Sequence, residues 1–303
     1  MAIAKLWLGL VLKGLGLGLL GLGLAYGAIC GWLWWRQPQL VFAPLRSLTE
    51  NPADFGLSYE DLWIPVRGDR LHGWRLWQPS AGPARGTILY FHGNAEHVGS
   101  NLRRLATLTS WGYEVVAVDY RGYGRSGGPF PNEARVYEDA RAIWRYATEV
   151  LGLDPRRTIF WGHSLGGAIA IDLLSQQGDD RPRDRRPLGG LVVEASFTAI
   201  ADLAKENPRY GLFPIDWLVH QRFASIEKVH RLTVPTLYIH GTDDELIPPA
   251  MSDRLAAATP GAVEVLLIPG ADHNNALQQG GDRLRDALAN LPQTPSISST
   301  RTP

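Results

Sequence analysis

From about Leu57 onward, short runs rich in β-branched and aromatic residues alternate with longer stretches whose apolar positions recur at spacings of three and four. That alternation predicts strands joined by covering helices. Strands are expected over residues 59–66, 71–78, 86–91, 114–119, 158–161, 190–193, 236–240 and 263–268. Helices are expected over 98–111, 133–151, 165–176, 249–258 and 282–291. The first two strands flank Arg67-Gly68-Asp69-Arg70 and alternate in polarity, which predicts an antiparallel hairpin at one edge. The remainder implies crossovers into a mostly parallel central sheet with helices on both faces, an α/β fold. No internal repeat is visible.

The first 36 residues follow a different pattern. Residues 14–35 carry no charge, close to the roughly 20 residues a helix needs to cross about 30 Å of hydrocarbon. Trp32, Trp34 and Trp35 beside Arg36 suit a lipid–water boundary. A transmembrane anchor is expected over 1–36, followed by a linker (37–56), a catalytic domain (57–292) and a disordered tail (293–303). The apolar run is longer than a signal peptide needs, and no small-x-small cleavage site follows it. Lys5 and Lys13 precede the span while only Arg36 closely follows it, which predicts a cytoplasmic N-terminus and an exported catalytic domain. Gly16-x-Gly18-x-x-Gly21 inside this run is a formal dinucleotide fingerprint, but no strand precedes it and no polar residue nearby could bind a ribose.

Composition narrows the function. Lys plus Arg equals Asp plus Glu at 30 each, which argues against nucleic acid as a partner. Cys30 is the single cysteine, and no Cys/His cluster has zinc spacing, so no metal is expected. Residues 178–189, rich in charge and proline, are expected to form a solvated loop.

The strongest chemical signal is a β-rich run from Thr158, then Gly162-His163-Ser164-Leu165-Gly166, then an apolar helix. A serine on such a strand-to-helix turn projects outward, and the turn needs small neighbours. The helix start beyond it would favour a developing oxyanion. Gly124-Arg125-Ser126-Gly127-Gly128 matches the same expression, but Pro129-Phe130-Pro131 prevents a helix from starting there, so Ser164 is the candidate nucleophile. A serine hydroxyl needs a base and an orienting acid from later loops. His273 lies in the loop after the last expected strand, and either Asp243 or Asp244, after the preceding strand, could reach it. Both loops follow C-terminal strand ends, where open parallel sheets bind ligands. The connection at 196–232 carries Tyr210, Leu212, Phe213, Trp217 and Phe223, which would either shape an acyl pocket or pack on the sheet.

Together with Phe91-His92-Gly93-Asn94-Ala95, the run from Asp119 to Gly128, His240-Gly241-Thr242-Asp243-Asp244-Glu245 and Gly270-Ala271-Asp272-His273-Asn274, the chain resembles the α/β-hydrolase superfamily. Within it, the resemblance is to compact, often membrane-anchored serine hydrolases such as alpha/beta-hydrolase domain-containing proteins and protein depalmitoylases. It extends from about Tyr59 to Asn275. The resemblance implies an α/β-hydrolase fold, Ser164 as nucleophile, Asp244 as acid, being third after the His-Gly pair, and His273 as base. It also implies oxyanion amides from Asn94 or Ala95 opposite Leu165, with no cofactor. Asp272 stands where a glycine is common, which bears on the hydrogen bonding around His273. Lipid-like esters or acyl thioesters are the expected substrates. A serine peptidase of the same fold, or a non-catalytic membrane-bound binding protein, is the alternative.

Overall fold

The computed structural model describes residues 2–79, 84–176 and 188–291. Most of the loop expected at 178–189 and the tail expected at 293–303 lie outside the described residues. The elements run α1 (Ala2–Trp35), α2 (Gln37–Val41), β1 (Ser58–Val66), β2 (Asp69–Trp77), β3 (Thr87–Phe91), α3 (Leu102–Ser110), β4 (Glu114–Val118), α4 (Glu133–Glu149), β5 (Thr158–His163), α5 (Leu165–Ser175), β6 (Gly190–Glu194), α6 (Ile200–Glu206), α7 (Ile215–Leu218), β7 (Thr236–Gly241), α8 (Ala250–Ala258), β8 (Val263–Ile268) and α9 (Ala276–Asn290).

All eight expected strands are present in one sheet of order β1-β2-β4-β3-β5-β6-β7-β8. β1 and β2 form the expected antiparallel hairpin, turned by Arg67 and Gly68 at φ 46° and 86°. β2 meets β4 antiparallel, and every pairing from β4 to β8 is parallel. Successive strand residues feed opposite faces. Leu89, Val116, Phe160 and Val193 join one buried cluster with α4, α5 and α8, while Ile88, Val115, Trp161 and Val192 join another with α3 and α9. The strand order reverses at β3, which leads to β4 on one side and β5 on the other. Such a reversal leaves a crevice at the C-terminal strand ends.

Three short helices, α2, α6 and α7, were not expected. α3 starts four residues later than expected because Asn101 ends a turn in which the Val98 amide donates to Asp119 (2.8 Å). α9 starts six residues early and kinks at Gly281 (φ 45°, ψ −127°), where the Gly280-Gly281 pair reads as a break. From Trp7 onward the described positions of α1 are exposed apart from partial cover at Gly9, Cys30 and Leu33, and the stretch Trp7–Trp35 is long and apolar enough to cross a membrane. The stretch expected as a linker lies against the domain. Phe42 is 2% exposed and packs edge-on against Phe223, and Pro52 is buried.

Candidate active site

Ser164 sits between β5 and α5 at φ 54°, ψ −119°, a conformation that costs a non-glycine residue of order 1–3 kcal/mol. Its surroundings hold it there. The Ser164 amide donates to Glu194 O (2.8 Å), and its carbonyl accepts from the Gly167 amide (3.0 Å) and Ser196 Oγ (2.8 Å). A Cβ on Gly162 would collide with the start of α5, and one on Gly166 would strike the carbonyls of Phe91 and His92. The turn therefore requires glycine for space.

The two later loops meet this serine. His273 Nε2 lies 3.0 Å from Ser164 Oγ, and its Nδ1 lies 2.8 Å from Asp244 Oδ2. With Nδ1 protonated, His273 donates to the acid and accepts from the serine hydroxyl. Asp244 is buried while its neighbour Asp243 is exposed and, among the described residues, accepts only from its own loop's Thr242 hydroxyl (2.8 Å). Asp244 also receives His240 Nε2 (3.1 Å) and the amides of Leu246 and Ile247 (2.9 Å each). Burial opposes its ionisation, but the hydrogen bonds from His240, His273 and Ile247 outweigh that and hold the carboxyl well below the usual carboxylate range. Asp272, the departure from the family pattern, does not touch the imidazole. Its carboxylate accepts the amides of Asn274 and Asn275 (2.8 and 3.0 Å) and shapes the turn.

Asn94, Ala95, Ser164, Leu165 and His273 line one cavity of about 990 Å³. Leu165 opens α5, whose first amides have no acceptor within the helix. Ala95 holds φ 53°, and the Gly93 amide before it is fixed by Glu96 (2.9 Å). The Asn94 side chain is occupied elsewhere, donating to Val41 O (2.6 Å) and accepting from the Ala43 amide and Tyr123 hydroxyl (2.9 Å each). Ser126 is buried and structural in its contacts: its hydroxyl donates to Asp119 O (2.7 Å) and accepts from the His72 amide (2.9 Å).

Beneath the serine lies a buried charged layer that sequence reasoning missed. Arg104 pairs with Glu194 (2.5 Å), whose other oxygen accepts from Trp161 Nε1 (2.9 Å). Arg104 also donates to Asn274 O (2.9 Å), and His163 Nε2 donates to His273 O (3.0 Å), so both grip the backbone of the histidine loop. Burial and the Arg104 charge favour neutral His163, but the carboxylates of Glu96 and Glu194 outweigh them and raise its pKa. A charge inside an otherwise apolar β6, Glu194, was the available signal. Among the described residues no group of three or more His, Cys, Asp or Glu is arranged to hold a metal.

Residues 82–225 match the family described as serine aminopeptidase, and residues 179–279 match the one described as alpha/beta hydrolase fold. The chain belongs to the α/β-hydrolase superfamily. Among relatives of this α/β-hydrolase, the alpha/beta hydrolase domain-containing protein WAV2 of Arabidopsis thaliana is 27% identical, covering 81% of this chain and 84% of its own. The lysophosphatidylserine lipase ABHD12 of Danio rerio is 35% identical over 55% of this chain and 46% of its own. In solved structures the fold recurs in an esterase of Pyrococcus furiosus, with a TM-score of 0.64 at 18% identity over 82% of this chain and 98% of that one. The α/β-hydrolase core thus extends across the sheet that carries Ser164, while the cavity above it is bounded by this chain's own connection between β6 and β7.

Proposed function

We propose that this hydrolase is a serine enzyme that cleaves carboxylic esters or thioesters of lipid-like acyl compounds. Ser164 Oγ attacks the carbonyl carbon as His273 Nε2 takes its proton, and Asp244 orients and stabilises the imidazolium. Collapse of the tetrahedral intermediate expels the alcohol or thiol, which leaves with the proton from His273. Water, deprotonated by His273, then frees the acid. Amides of Leu165 and of Asn94 or Ala95 hold the oxyanion.

The observation that carries this reading is the continuous hydrogen-bonded line from Asp244 through His273 to Ser164, opening into an apolar cavity with Leu165, Phe197, Leu203 and Phe213 in its wall. A relative named as a lysophosphatidylserine lipase supports a lipid ester. The exposed apolar α1 is consistent with a membrane anchor or a signal sequence. An apolar run longer than a signal peptide needs favours the anchor, and Lys5 and Lys13 before it favour a cytoplasmic N-terminus.

A second reading, peptide hydrolysis at the same residues, is favoured by the serine aminopeptidase description of the matching family. Fluorophosphonate labelling of the full-length protein tests the first step, with Ser164→Ala as the control. Labelling of the parent but not the variant, with turnover of p-nitrophenyl butyrate and not of aminoacyl anilides, is the expected result. A Ser164→Ala protein that keeps its circular dichroism and still turns over the ester would sink the assignment.

A further inference from the structure

The cavity that contains Ser164 is also lined by Leu33, Gln37 and Leu40, which belong to the end of α1 and to α2. Tyr26, Cys30 and Leu33 recur at spacings of four and three and so share one face of α1, and Gln37 opens α2 just beyond its end. Along that face the segment between β6 and β7 is laid down in register. The Tyr26 hydroxyl donates to Leu212 O (2.8 Å) and its ring stacks on Phe213 at 6.0 Å. Cys30 and Leu33 are partly covered while the residues between them are exposed. Trp34 packs on His220 at 4.8 Å. Gln37 then clamps the far end, donating to Leu218 O (3.1 Å) and accepting the amides of His220 (2.7 Å) and Gln221 (2.5 Å).

The length of α1 says where this contact sits. Trp7–Trp35 is 29 residues, about 43 Å at 1.5 Å per residue. The hydrocarbon core needs about 20 residues. Lys13 precedes the uncharged residues 14–35, so residues 14–33 cross it and Trp32, Trp34 and Trp35 stand at the boundary, where they are favoured. Leu212 and Phe213 meet α1 at Tyr26, about 10 Å along the helix inside that boundary. Leu212 and Trp217, each next in sequence to a cavity-lining residue, are 86% and 89% exposed, and Leu246, which lines the cavity, is 68% exposed. Large exposed apolar side chains of this kind suit a membrane contact site.

We infer that the end of α1 is a wall of the acyl pocket and that the pocket mouth rests on the adjoining leaflet, from which a single-chain amphiphilic ester enters. This rests on the hydrolase reading above. A cavity of about 990 Å³ is at the upper end of the range for small-ligand sites, about 300–1,000 Å³, and suits one acyl chain with its ester. The chain enters along Phe213 and Leu33 while its polar end stays at the headgroups, and the carbonyl comes to Ser164. Here α1 is more than a tether, since its removal would open the cavity to water beside the serine.

The full-length protein in phosphatidylcholine vesicles provides the test. An environment-sensitive fluorophore on Leu212→Cys, in a Cys30→Ser background, is expected to shift to the blue and to be quenched by lipids spin-labelled on the acyl chain. Emission unchanged from water would overturn membrane docking, and this readout needs no catalysis. Leu33→Trp narrows the wall, so the ratio of palmitate-ester to butyrate-ester turnover is expected to fall at least about tenfold. An unchanged ratio would overturn α1 as a wall. Leu33→Ala, expected to alter the chain-length profile by widening the wall, answers the same question if tryptophan prevents folding. A parent protein that turns over neither ester would instead overturn the hydrolase reading, leaving the fluorescence result to decide docking.

Discussion

Below Ser164 the cavity is closed by strand ends, a buried Arg104–Glu194 pair and the ring of His163, all nearly without solvent exposure. Above it the cavity is closed by α6, α7 and the end of α1, where no residue of α6 or α7 is fully buried and Leu212 and Trp217 project outward. The floor can hold reacting groups within a few tenths of an ångström because close-packed interiors do not deform continuously. The roof, with few buried apolar contacts, is free to open at a small fraction of the global stability. In the proposed function, chemistry and substrate choice fall to regions of different burial.

The sharpest break to the floor is at its acid. Asp244→Asn is expected to lower ester turnover by about 10⁴-fold, because the imidazole loses the partner that fixes its tautomer. Asp243→Asn, at an exposed carboxylate, is expected to change it less than about threefold, the ordinary range for a surface substitution of under 0.5 kcal/mol. Steady-state kinetics on a soluble ester checks both, and the reverse ranking would move the acid by one residue. Next comes the charged layer. Arg104→Met leaves Glu194 buried without its charge partner, and such a break costs about 3–5 kcal/mol. Urea denaturation should show that loss, and a midpoint unchanged from the parent would remove the layer from the account of floor rigidity.

The roof should respond in a different way. Gln37→Ala removes three hydrogen bonds to the segment at 218–221, each worth about 1 kcal/mol net. The expected result is amide exchange across 212–221 at least about tenfold faster, with little change in the exchange of β5 and β6. Hydrogen exchange read by mass spectrometry separates the two regions. Slowed or uniform change would mean that roof and floor open together.

How much of this could be read in the sequence follows the same division. Each strand is a β-rich run bounded by turn residues, and each candidate catalytic residue follows a strand directly, so the residues that meet at the floor were visible one loop at a time. The choice of Asp244 over Asp243 came from family register, and the burial of one carboxylate and exposure of the other supply the physical distinction. Arg104 was missed because an arginine beside Arg103 on an amphipathic helix reads as part of its solvated face. The short α6 and α7 have too few residues for periodicity to appear, and their placement depends on α1, some 180 residues earlier in the chain. Of the aromatic residues in that connection, Phe223 packs in the core with Tyr137 and Phe42 while Phe213 lines the cavity, so both readings of the connection hold for different residues.

The smallest change in stability expected lies at the edge of the floor, where the buried Asp119 meets His92. Asp119 Oδ1 lies 3.4 Å from His92 Nε2, near enough for an ion pair, yet burial favours the neutral form of each. Burial pushes the Asp119 carboxyl up to about 8 against the Val98 amide and the Arg125 charge, and it lowers His92 to about 4. A raised carboxyl pKa means that the stability associated with the protonated group is complete below the unfolded value and is lost as the pH rises through the folded one. A lowered histidine pKa acts in the opposite sense between about 4 and 6.5, so the two offset each other there. Above pH 6.5 the aspartate acts without that compensation. Its contribution falls by up to about 1.4 kcal/mol per pH unit as far as pH 8. Asp119→Asn keeps a neutral side chain of the same shape and should therefore show a shallower decline in unfolding free energy between pH 6.5 and 8 than the parent. Parallel declines in urea titrations across that window would mean that Asp119 is ionised in the folded protein, and that this edge of the floor is an ion pair.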